Sequence, residues 1–251
     1  MKKLEEEFGV PLFHRANSKI SLNETGKVAA EYAERALEAN REMIDHVLAF
    51  ERSLRTVYLG SCAPLPMNEL VPILQERLPE KTISAEIVSD DRLIRGLKSR
   101  AYQLVILHED VDDRSIYCQR YMEENLYLSI AEDHPLAQKD SVSFDELRNV
   151  RILVNSNIGF WQELCHSKIP AGNLLVQNSF DAFSELVQAS NLPFFNSDQY
   201  IARGYTAPGR KSIPFRDPEA HATFWLACLA NEQKQYRSVF NAVRGNLLRS
   251  R

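Results

Sequence analysis

Between residues 56 and 109 the chain alternates between short apolar runs and amphipathic segments, and this alternation narrows the fold more than any other feature. "TVYLGSCA" (56–63), "TISAEIVS" (82–89) and "YQLVILHE" (102–109) read as strands. "MNELVPILQERL" (67–78) and "DRLIRGLKSR" (91–100) between them carry the helical period. A β-α-β-α-β order predicts a parallel sheet covered by helices, with its ligand crevice outside the carboxyl ends of the strands.

Two less regular strands follow, "SIYCQRYM" (115–122) and "NLYLSIAE" (125–132). "SFDELRN" (143–149) holds a Ser-x-x-Glu capping box, Ser143 to Glu146, ahead of strand "RILVN" (151–155). A second α/β set comes next: helix 159–168, strand 173–179, helix 180–190 and a short strand 192–196. Strands 211–215 and 221–230 and helix 234–249 close the chain. Two small α/β lobes, one built from both ends of this region, account for the pattern.

Ahead of the lobes, residues 23 to about 52 carry an unbroken amphipathic period. Asn23 reads as an N-cap, and the apolar stripe includes Val28, Tyr32, Ala36, Leu37, Met43, Ile44, Val47 and Leu48. A helix of that length spans on the order of 40 Å. Its stripe needs a partner, and pairing with a second copy of the chain is the expectation.

Composition removes several classes. The net charge of −4 gives no global attraction to nucleic acid. Cys62, Cys118, Cys165 and Cys228 are widely spaced without a C-x-x-C pair, which predicts reduced thiols and neither a zinc site nor a disulfide framework. The charged N-terminus does not read as a signal peptide, and no window has the ~20 apolar residues of a membrane span, so a cytoplasmic location is expected. There is no G-x-G-x-x-G, no P-loop, and no G-x-S-x-G around Ser61. His108 beside Glu109 and Cys165 beside His166 are adjacent pairs whose side chains diverge. Neither an enzyme nor a cofactor or metal is predicted. Trp225 reads as core, and Trp161 stands beside a candidate loop.

With "LEEEFGVPLFHR" (4–15), "ISLNETG" (20–26) and "AEDHPLA" (131–137) in this order around the two-lobe pattern, the chain resembles, over nearly its whole length, the LysR-type bacterial transcriptional regulators. "LEEEFGVPLFHR" (4–15) with "ISLNETG" (20–26) is similar to the end of a recognition helix, a wing and the start of a linker helix. "AEDHPLA" (131–137) is similar to a mid-domain strand and turn, and the lobe order resembles a periplasmic-binding-protein-like effector domain. The resemblance implies a partial winged helix-turn-helix over 1–22 and a dimerising linker helix over 23–54. It implies an effector domain over 55–251, with lobe I about 55–123 plus 219–251 and lobe II about 124–218. The first helices of the DNA-reading head do not appear in this sequence, so weak or lost DNA recognition is expected of it. Lys2, Lys3, Arg15 and Lys19 are the expected phosphate contacts, with Asn17 and Ser18 at the wing tip. A solute-binding protein of a transporter shares the fold but would carry a signal peptide and lack residues 1–52. A decoy that forms mixed dimers needs only the linker helix.

The effector cleft should lie among the loops "GSCAPLP" (60–66), "SDD" (89–91), "HED" (108–110), "NSNIGFW" (155–161) and "FNSDQY" (195–200). Ser89 and His108 are candidates at the strand ends. By the resemblance, Ser61 and Cys62 touch the effector from lobe I, and Asn155, Ser156, Asn157, Phe160 and Asn196 from lobe II. Hydroxyls and amides beside an aromatic ring suit a small polar acid or a ring compound. The loops offer no arginine for a carboxylate beyond Arg92 at a helix start, and Phe194, Phe195 and Asp198 make a bulky, acidic rim.

Overall fold

The computed structural model describes residues 2–16 and 19–249 and divides at Arg52/Ser53 into two compact units. In the first, helix α1 (Lys2–Phe8) leads to a hairpin of β1 (Phe13–Ala16) and β2 (Lys19–Leu22) and then to helix α2 (Glu24–Ser53). The Glu5 carboxylate accepts from the backbone N–H of Leu12 at 2.8 Å, which ties α1 to the hairpin. Asn23 caps α2, its Oδ1 accepting from Gly26 N at 2.7 Å. Gly26 admits no side chain, because a Cβ there would lie 2.0 Å from the Leu12 carbonyl oxygen. Val28, Tyr32, Leu37, Met43, Ile44, Val47 and Leu48 of α2 are exposed.

Lys2 and Lys3 stand exposed on α1. Arg15 is the last residue but one of β1, opposite Ile20, and Lys19 is the first residue of β2, opposite Ala16. Their side chains, and the residues Asn17, Ser18 and Met1, lie outside the described set.

The second unit begins with β3 (Thr56–Ser61), α3 (Pro64–Arg77), β4 (Thr82–Ile87), α4 (Asp90–Lys98), β5 (Leu104–Leu107) and β6 (Ile116–Ala131). It continues with β7 (Ile152–Asn155), α5 (Trp161–Lys168), β8 (Leu174–Gln177), α6 (Phe180–Ala189), β9 (Phe194–Ser197) and α7 (Asp198–Ala202). β10 (Arg210–Pro214), β11 (His221–Leu229) and α8 (Arg237–Arg249) complete it. α3 starts three residues earlier than the hydrophobic period suggests, because prolines fit a helical first turn that has no use for their missing N–H.

All strands after the hairpin join one sheet in the order β4-β3-β5-β11-β6-β9-β7-β8, with β10 also on β6. β3 pairs in parallel with β4 and β5, as the alternation requires. β6 is where sequence and structure differ. Glu123 and Glu124 read as a break between two strands, yet one 16-residue strand runs through them. Its first part, Ile116–Asn125, pairs with β11, and its remainder pairs with β9 and β10. β6 therefore belongs to both lobes of a periplasmic-binding-protein-like α/β fold.

The lobe I core is built on Leu59, Leu104, Val105, Ile106, Leu107, Phe224 and Leu226, all inaccessible to solvent. Leu70 and Leu74 of α3, Leu93 and Leu97 of α4, and Val239 and Val243 of α8 cover it. Leu128, Ile130, Ile152, Leu153 and Ile213 fill the lobe II core. The predicted capping box forms between Ser143 and Glu146, with Ser143 N donating to Glu146 Oε2 at 2.8 Å.

Candidate functional site

The carboxyl ends of β3, β4 and β5 place three loops side by side, as the parallel order demands. Cys62 follows β3 and donates its N–H to Ile106 O at 2.9 Å, while Val88 N donates to Ser61 O at 3.0 Å. Asp90 opens α4 and His108 follows β5. His108 Nδ1 lies 2.7 Å from Asp90 Oδ2, and this carboxylate raises the imidazole pKa above its ordinary value against the opposing effect of burial. Two acidic residues, Asp90 and Asp91, occupy the first turn of α4. The negative charge that a helix start attracts is thus supplied by the chain itself.

Lobe II reaches these loops through residues 155–160. Ser156 N donates to Gln177 O at 2.9 Å and Asn157 N to Asn155 Oδ1 at 2.8 Å. The segment then closes on lobe I, with Phe160 N donating to Cys62 O at 2.8 Å and the Phe160 ring stacked on His108 at 4.6 Å and 11°. The approach needs Gly159. Its φ is +63°, and a Cβ there would stand 1.9 Å from Cys62 O.

Above this contact lies a cavity of about 700 Å³. Its polar lining comes from Ser89, Asp90, Asp91 and His108 on one side and Ser156, Asn157, Gln162, Glu163 and His166 on the other, with Phe160 between them. Among the described residues that line it there is no lysine or arginine. Five sequence candidates therefore meet around one space: Ser89, His108, Ser156, Asn157 and Phe160.

Four do not line it. Ser61 is inaccessible and donates its hydroxyl to Ala63 O at 2.7 Å. Cys62 sits behind the wall with 1 % exposure, and burial pushes its thiol pKa well up. The Asn155 side chain is used within its own turn. Asn196 donates to Tyr205 O at 3.0 Å, within lobe II.

Asp90 and Asp91 belong to the candidate loop 89–91, His166 reads from the sequence only as the neighbour of Cys165, and Gln162 and Glu163 are lining residues that no sequence signal marks. All stand in the first turns of α4 and α5 or one turn further on, and their direction depends on where each helix starts. Glu109 is exposed, with its Oε1 4.0 Å from His108 Nε2. Cys165 is buried while His166 is exposed at the cavity, as adjacent helical residues should be.

Behind the cavity the lobes share a buried carboxylate. Glu124, 4 % exposed on β6, accepts a hydrogen bond from Trp161 Nε1 of α5 at 2.9 Å. Burial raises its pKa to about 7, against the lowering effect of hydrogen bonds from Trp161 and Ser197. Asn125 beside it binds Asp198 twice, N to Oδ1 at 3.0 Å and Nδ2 to Oδ2 at 2.7 Å. These contacts let β6 run straight through a pair of acidic residues. Trp161 is thus both core and lobe junction, whereas Trp225 is only partly buried.

Among the described residues no helix is long and apolar enough to cross a membrane. The family model described as "LysR substrate binding domain" matches residues 50–247. A probable RuBisCO transcriptional regulator of Phaeodactylum tricornutum is 23 % identical over 189 residues, covering 72 % of this chain and 59 % of that protein. The first curated relatives are spanned over only 50 % to 68 % of their own length. Full-length BenM superposes with a TM-score of 0.58 at 19 % identity, covering 99 % of this chain and 86 % of that one. The BenM effector binding domain with its effector benzoate gives 0.58 at 17 % identity, over 78 % and 93 %. These structural likenesses establish the fold. With the family model running from the end of α2 into α8, the chain belongs to the LysR-type regulators, and its second unit is a LysR substrate-binding domain.

Proposed function

We propose that this chain senses a small effector for transcriptional control, holding it in the cleft between Ser89, Asp91 and His108 on lobe I and Ser156, Asn157 and Phe160 on lobe II. The observation that carries this reading is the 700 Å³ cavity at the carboxyl ends of three parallel strands, faced by a second lobe. Its acidic lining without lysine or arginine favours a neutral or cationic effector over an aromatic acid such as the benzoate held by BenM. A ligand bridging both walls would favour one lobe arrangement and, through it, one arrangement of DNA-reading heads. The exposed stripe of α2 would pair with a second copy, giving a dimer that acts on DNA, with Lys2, Lys3, Arg15 and Lys19 as its phosphate contacts.

Two measurements test this. Deletion of the coding sequence should change a small set of transcripts, and restoring it should reverse the change. A transcript profile indifferent to the deletion overturns the regulatory role. A thermal-shift screen of neutral, cationic and anionic metabolites should then find stabilisation that Asn157→Trp removes; stabilisation by benzoate-like acids alone overturns the assignment of effector charge.

A further inference from the structure

Cys62, Asp90 and His108 stand at the ends of three adjacent parallel strands, and their sulfur, oxygen and nitrogen atoms all lie within 4.8 Å of one another. Within this cluster, Asp90 Oδ1 and His108 Nδ1 are buried atoms without a hydrogen-bond partner. Nδ1 is close to Asp90 Oδ2, at 2.7 Å, but the two are not aligned as a hydrogen bond. Buried polar atoms normally find a partner, because leaving one unmet costs about 1–3 kcal/mol. Asp90 Oδ1 has no partner and His108 Nδ1 has only the ion-pair contact with Oδ2; their convergence beside a buried thiol points to something that binds all three.

We infer that Cys62, Asp90 and His108 form a binding site for a thiophilic divalent transition-metal ion of the zinc class, open on one side to the effector cleft. The donor set decides the class: thiolate and imidazole select zinc, cobalt or nickel, whereas magnesium and calcium prefer oxygen alone. Three protein donors leave a fourth tetrahedral position. Asp90 and His108 line the cavity, so that position opens towards it.

The surrounding charge suits a cation. Asp90 and Glu124 bear on Cys62, and Asp90, Glu109 and Glu163 bear on His108, with no lysine or arginine among them. The Asp90–His108 pair needs little adjustment. Donors on a tetrahedral ion with bonds of about 2 Å stand roughly 3.3 Å apart, so the Asp90–His108 contact opens by only about half an ångström. The backbone is already fixed, since Cys62 N and O are both hydrogen-bonded, to Ile106 and Phe160. On binding, the metal takes the place of the thiol proton, which is released to solvent, and no electron is transferred.

This site deepens the effector reading, on whose cleft it rests, by making the effector a metal ion or a ligand held through one. The probe is cobalt(II) alone, added to the chelator-stripped full chain and followed by absorption. One equivalent should give the visible bands of a tetrahedral site and a near-ultraviolet thiolate-to-cobalt band. Cys62→Ser should abolish the thiolate band, and His108→Gln should weaken binding beyond the roughly 10–100-fold that loss of an outer-shell partner brings. Cys165→Ser should leave the spectrum intact.

Asp90→Asn keeps the side-chain size and serves as the folded control; its far-ultraviolet circular dichroism should match the parent while cobalt affinity falls at least tenfold. No thiolate band at one equivalent overturns the site, as does a band that survives Cys62→Ser. The two readings separate cleanly. Cobalt binding in a chain whose deletion leaves transcripts unchanged keeps the metal site and removes the regulator. Transcript changes without the thiolate band do the reverse.

Discussion

Replacing Glu124 with glutamine should make the protein more stable at alkaline pH and leave it nearly unchanged near pH 5. The side chain is 4 % exposed and its pKa rises from 4.5 to about 7, chiefly through burial. Between those values the unfolded chain has an ionised carboxylate while the folded one keeps its proton. Folding takes up a proton there, and stability falls by about 1.4 kcal/mol for each pH unit. The favourable contribution is complete below about pH 4.5 and is lost as pH rises through 7, a total of about 3 kcal/mol. Glutamine does not titrate, and its amide oxygen still accepts from Trp161 Nε1. Urea unfolding of both proteins at pH 5, 6, 7 and 8, followed by circular dichroism, measures the difference directly. It should grow with pH and flatten above 7. A difference that is equal at pH 5 and pH 8 would refute the assignment of a protonated, buried Glu124.

Three other outcomes are expected. Gly159→Ala combines a positive φ of +63° with a Cβ 1.9 Å from Cys62 O, so unfolding free energy should drop by roughly 2–4 kcal/mol, read from denaturant midpoints. Leu37→Asp with Val47→Asp puts charge on the exposed stripe of α2 and should convert a dimer to monomers in light scattering, without lowering the melting temperature of the second unit. Glu146→Ala removes the acceptor of Ser143 N and the ion pairs to Lys139 and Arg216, and should cost about 1–2 kcal/mol of stability.

The fold was readable from the sequence where local signals agree with one another. Strand-helix alternation fixed the parallel lobe I, Asn23 and Ser143 announced their caps, and the strand-end loops named Ser89, His108, Ser156, Asn157 and Phe160. What escaped depends on long-range partners. Glu124 sits in an acidic pair that reads as a strand break, and only Trp161, far along the chain, makes its burial tolerable. Gln162 and Glu163 face the cavity because of a helix start that local propensity fixes only to within a residue or two. Cys62, Asp90 and His108 follow three different strands, so their convergence shows in the topology and in no spacing rule.

The unbroken β6 bears on how much the cleft can move. Periplasmic-type lobes joined by loops can swing like a door on a pin; here 16 residues of hydrogen-bonded strand cross the junction. Its pairing with β11 slips by one residue at Phe224/Trp225, where Tyr121 is left as the extra residue, 5 % exposed and bonded through its hydroxyl to Pro66 O at 3.1 Å. A bulge is where a strand bends. The junction is therefore comparable to a leaf spring with one thinned point at Tyr121: a continuous hydrogen-bonded strand should flex through a small angle and resist free rotation. Under the proposed effector reading, such a spring would pass on a small angular displacement against a restoring force and not an open-ended rotation.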